Sequence, residues 1–128
     1  MRIVVCDKHQ GKDTLLSFLN ATICLRKDKL PECIDGYSNR IGNAINEYLY
    51  CYFAQELLPE DIEHFEGEGV AVCSVDALAD SLNMVIMSEK EFYNSMTEAL
   101  LLHKHRFLAN EWRIVQEKIE ALHHKWRL

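Results

Sequence analysis

The sequence predicts an α+β domain that is predominantly α-helical: a minimal two-stranded sheet, about 2–6 and 70–73, three to four helices and a long C-terminal helix. Three observations predict it. The 128 residues are 48% hydrophobic and 27% charged, with five glycines and two prolines, which is the composition of one globular domain spanning 1–128. Two short β-branched runs, Val4-Val5-Cys6 and Val70-Ala71-Val72-Cys73, each lead through a polar turn. Most of the remaining apolar residues recur at helical spacing.

The elements follow in order. Arg2 to Cys6 reads as a buried strand, and Asp7 to Lys12 as a polar turn with Gly11. Asp13 or Thr14 caps a helix to about Arg26, with Leu15, Leu16, Phe18, Leu19 and Ile23 as its apolar side. Lys27 to Tyr37 reads as a loop because of Pro31 and Asp35-Gly36. Ser38 caps a second helix to about Leu58, striped by Ile41, Ala44, Ile45, Tyr48, Leu49, Tyr52 and Phe53. Pro59 ends it. Val70 to Cys73 is the second strand, pairing in parallel with the first, and Ser74 caps a third helix over 75–87. Ser88-Glu89-Lys90-Glu91 has the form of a capping box and opens the terminal helix, to about Trp126.

The net charge of −6 is unevenly placed. Glu56, Glu60, Asp61, Glu63, Glu66 and Glu68 fall in one stretch without a single Lys or Arg, whereas residues 103 to 128 are net basic. An acidic chain is a poor nonspecific binder of nucleic acid, which rests on phosphate neutralisation. The apolar runs are too short for a membrane span, and the N-terminus does not read as a signal peptide. Five cysteines without a CxxC pair read as reduced thiols, and a cytoplasmic location is expected.

Leu101, Leu108, Val115 and Leu122 are seven apart, and His105, Trp112, Ile119 and Trp126 lie four residues further on. This is the seam of a coiled coil, and it packs either on the chain's own core or against a second copy. The aromatic residues favour contact. A non-enzymatic protein–protein interaction module (regulator, adaptor or inhibitor) is the leading reading, with a homodimer through Leu101, Leu108, Trp112, Val115, Ile119, Leu122 and Trp126. The partner expected is another protein; no cofactor and no metal are.

The second reading is a phosphate-binding turn. A strand, Gly11-Lys12 and a helix start stand in the required order. The Gly11-Lys12-Asp13-Thr14 tetrad resembles the loop of nucleoside and deoxynucleoside monophosphate kinases. The resemblance implies that Lys12 contacts phosphate and Thr14 sits near the nucleotide or metal. Cys6 stands at that family's first glycine, and His9 and Gln10 replace its small residues, so anion binding is the expectation rather than catalysis.

The third reading places Glu56, Glu60, Asp61, Glu63, Glu66 and Glu68 against a basic partner, their carboxylates imitating a row of phosphates. At the level of class, small acidic helical proteins of this kind resemble some phage and plasmid inhibitors of host systems. His103, His105, His123 and His124 read as surface histidines, since one Glu120-x-x-His123 is half of what a di-iron bundle requires. Cys6 and Cys73 each end a strand before an expected helix start and are the candidate thiols.

Overall fold

A computed structural model describes all residues, 1–128. The chain forms β1 (Arg2–Cys6), α1 (Lys12–Cys24), α2 (Leu30–Ser38), β2 (Ala44–Asn46), β3 (Leu49–Phe53), β4 (Val70–Asp76), β5 (Ser81–Met87), α3 (Glu89–Leu102) and α4 (Ala109–Trp126). The strands make one mixed sheet in the order β1-β5-β4-β3-β2. β1 pairs with β5 in parallel, and every other neighbouring pair is antiparallel.

The minimal two-stranded sheet is therefore corrected to five strands. Residues 2–6 and 70–73 are both strands, but β5 lies between them. The helix expected over 75–87 is the end of β4, a four-residue turn and β5. Asp76 makes the reversal, its carboxylate accepting the amides of Leu78 at 3.1 Å and Ala79 at 3.2 Å. The helix expected over 38–58 is the end of α2 followed by β2 and β3. The loop expected at 27–37 contains α2, whose Pro31 sits in the first turn, where a missing amide costs nothing.

Two elements match. α1 lies close to where it was expected but starts at Lys12 with Gly11 rather than Asp13 or Thr14 at its cap, and Ser88 caps α3: its Oγ accepts the Glu91 amide at 3.1 Å while Glu91 accepts the Ser88 amide at 3.0 Å. The terminal helix, however, is two helices broken at 103–108. Glu111 reaches back to accept the Leu108 amide at 2.8 Å, starting α4 afresh without a Ser or Thr cap.

All four helices lie on one face of the sheet. Leu15, Phe18, Leu19 and Ile23 of α1, Ile34 and Tyr37 of α2, Phe92 and Met96 of α3 and Val115, Leu122 and Trp126 of α4 are buried with Cys51, Phe53, Val72, Val85 and Met87. Arg40 ties the layer together: its guanidinium makes a two-pronged pair with Glu89 at 2.9 and 3.1 Å and lies 5.9 Å from the Trp126 ring.

Gly11 seats α1 on the sheet. A Cβ there would stand 2.2 Å from a Val85 methyl, so only a residue without one lets the helix start approach β5 this closely. Gly11→Ala should therefore cost about 1–3 kcal/mol. Urea unfolding should find Gly11→Ala and Val85→Ala less than additive in the double variant, because trimming Val85 removes the clash.

Candidate functional site

The other face of the sheet carries no helix. Ile3 and Val5 of β1, Leu82, Met84 and Ile86 of β5, Ala71, Cys73 and Val75 of β4 and Tyr50 and Tyr52 of β3 point to it, as the strand registers require. The segment 57–69 folds over its β3–β4 end. Tyr50 donates its hydroxyl to the Glu63 carboxylate at 2.8 Å, Tyr52 donates to the Glu63 carbonyl, and the Phe65 ring lies 6.0 Å from that of Tyr52. Burial raises both phenols well above their ordinary range, and beneath them it pushes the Cys73 thiol up to about 12, with the Glu63 carboxylate adding to the effect. These groups stay protonated at neutral pH. Tyr50 and Tyr52 act as hydrogen-bond donors holding the loop, and Cys73 is a buried neutral thiol.

The six predicted acids divide by what they touch. Glu56 accepts the amides of Gly42 and Phe53, both at 2.8 Å, closing the turn after β3. Asp61 accepts the Leu58 amide at 2.7 Å, and Glu63 is the tyrosine clamp. Glu60 and Glu68 are exposed and make no side-chain hydrogen bond or ion pair, and Glu66 meets only His64, at 3.5 Å. Between the carboxylates stand two bare apolar side chains, Leu58 at 60% and Ile62 at 69% exposure. The structure thus brings together a fixed loop, an uncompensated anionic edge and apolar groups that no core residue covers.

A concavity of about 720 Å³ runs between the Asp7–Lys12 turn with α1 and α3. Lys8 and Lys12 line one side and Glu91, Ser95 and Glu98 the other. The predicted phosphate turn lies at its mouth. Two of its amides are already used: Gln10 donates to the Asp7 carboxylate at 2.8 Å and Gly11 to the Asp7 carbonyl at 2.9 Å. Lys12 is exposed and Thr14 half-buried.

A family model described as CDI immunity protein matches residues 12–107, three quarters of the chain. The chain belongs to the CDI immunity protein family. No curated protein and no solved structure matches it. Membership makes the chain an inhibitor that works by binding a protein, in line with the interaction module expected from its sequence. The matched span holds the acidic loop and both clamping tyrosines. No helix of this CDI immunity protein is long and apolar enough to cross a membrane.

The C-terminal seam of this family member is divided. Val115, Leu122 and Trp126 are buried in the chain's own core, and Trp112 and Ile119 pack against its edge. Leu101 and Leu108 are 65% and 67% exposed at the corner between α3 and α4. His105, His123 and His124 are exposed, while His103 is half-buried. The sequence reading missed the tyrosine clamp. The only trace of it in the sequence is the spacing of Tyr50 and Tyr52, two residues apart, which share one face if the segment is a strand.

Removing both phenol hydroxyls, Tyr50→Phe with Tyr52→Phe, should cost about 1–3 kcal/mol by urea unfolding. Limited proteolysis should cut within 57–69 several-fold faster in that variant, while sites in α1 and α3 keep their protection.

Proposed function

We propose that the protein neutralises a protein toxin by seating the 57–69 loop on a basic surface of that toxin, with Glu60, Glu66 and Glu68 as the charged contacts and Leu58 and Ile62 as the apolar anchors. The observation that carries this reading is the edge itself: carboxylates without cationic neighbours, mixed with exposed aliphatic side chains, on a loop already held in place. Uncompensated charge steers an oppositely charged partner and fixes its register. The apolar side chains supply the dry contact that charge alone does not. The clamp by Tyr50 and Tyr52 lowers the ordering cost of binding, because the loop needs little rearrangement. Family membership supports a protein partner, and the sign of the edge supports a basic face on it. A surface of that kind is one that binds nucleic-acid phosphates, and the row of carboxylates then competes for it.

Glu60, Glu66 and Glu68 contribute little to the fold, so reversing them tests contact without disturbing the loop. The triple change to lysine should weaken binding to the toxin partner by about 100-fold or more in calorimetry, and the wild-type affinity should fall as salt is raised. Affinity within two-fold of wild type in a normally folded triple variant overturns the assignment.

A further inference from the structure

The end of α1 meets the connector after α3 in a cluster that the acidic edge does not use. Cys24, the last residue of α1, places Sγ 3.7 Å from Nδ1 of His103. The opposite ring nitrogen, Nε2, lies 2.9 Å from Oδ1 of Asn20, one turn earlier on α1. Arg106 donates its Nε–H to the same Nδ1 at 3.1 Å. Two independent partners therefore set the tautomer. An amide oxygen only accepts, so Nε2 carries the hydrogen; a guanidinium only donates, so Nδ1 holds the lone pair. That lone pair also faces the thiol. Burial first, then the charges of Arg106 and His105, hold His103 below the ordinary histidine range, so the ring is a neutral base at pH 7.

The thiol needs that base. The sulfur of Cys24 becomes nucleophilic as His103 takes its proton. A thiol, an imidazole and a group that orients the imidazole form the arrangement by which sulfur nucleophiles are activated. The other four cysteines lack it. Cys51 and Cys73 are buried and Cys33 is half-buried, each with its thiol raised by burial, and Cys6 makes no side-chain hydrogen bond. Cys24 is half-buried, as Cys6 and Cys33 are, and its partners His103 and Asn20 line the 720 Å³ groove.

We propose that Cys24 is a reactive thiol served by His103 as base, and a site of covalent modification by small disulfides. The exposed Arg106 side chain releases Nδ1 of His103, the thiol hydrogen passes to that nitrogen, and the sulfur attacks one sulfur of the disulfide. The S–S bond of the small molecule breaks, and the departing thiolate takes the proton back from His103. Cys24 is oxidised to a mixed disulfide, one half of the small molecule is reduced to a thiol, and no other oxidant is needed. α1 lies in the helical layer, across the sheet from the acidic loop, so the site is independent of the proposed toxin contact.

The test uses the full-length reduced protein and oxidised glutathione under native conditions, with acid quenching and mass-spectrometric mapping of every cysteine. Cys24 should be modified roughly ten-fold faster than Cys6 or Cys33. His103→Gln should bring Cys24 down to the rate of Cys6. Cys51 and Cys73 report on folding in the same experiment, because they become modified only if the variant opens. Modification of wild-type Cys24 no faster than Cys6 overturns the proposal. So does an undiminished rate at Cys24 in a His103→Gln protein whose buried cysteines stay protected.

Discussion

A sheet with two apolar faces and helices on only one of them is the constraint around which the molecule is arranged. The inner face is satisfied by α1 to α4, which bury Phe53, Val72 and Val85 from above. The outer face, with Ala71, Cys73, Leu82 and Met84 buried in it, has no helix, and the chain covers part of it with the segment between β3 and β4. That segment contains few apolar residues of its own. It is held by two tyrosine hydroxyls on one residue, Glu63, and by Phe65. Buried hydroxyls without partners cost free energy, so the tyrosines and the loop fix one another. The acids that hold the loop shape are Glu56, Asp61 and Glu63; those left over face outward.

This division is what lets a structural loop serve as the proposed contact surface. A loop that is only charged would be solvated and mobile, and binding would have to order it. Here the ordering is done by the fold, so the outward carboxylates and the bare Leu58 and Ile62 are presented in fixed positions. The basic residues lie mainly elsewhere. Lys118 pairs with Asp35 at 2.9 Å and Lys125 reaches Asn39 at 2.7 Å, both bracing α4 on α2. The negative edge is left without a Lys or Arg partner, a distribution that favours a partner of opposite sign.

What the sequence disclosed depended on whether local signals agreed. α1 was legible because its apolar spacing and its start after a turn pointed the same way. The Ser88 capping box was legible because it is a purely local hydrogen-bond pattern. β3 and β5 were not, because each is apolar on both faces: Leu49-Tyr50-Cys51-Tyr52-Phe53 and Leu82-Asn83-Met84-Val85-Ile86 show too little alternation to separate a strand from a buried helix. α2 was hidden by Pro31 and Gly36, since a proline in a first helical turn looks like a loop signal. The break at 103–108 contains neither Gly nor Pro, and the heptad spacing ran across it. The six acids were legible as a charged stretch, but which of them are used internally was not, because their partners are backbone amides and tyrosines fixed by the tertiary fold.

We propose that the loop over the outer sheet face, rather than the C-terminal helix, meets the toxin. Hydrogen–deuterium exchange of the protein with and without its toxin partner tests it most directly. Added protection is expected to concentrate on residues 57–69 and on β3 beneath them, with α4 unchanged. Protection confined to residues 101–126, with the acidic loop exchanging as fast as in the free protein, would contradict it.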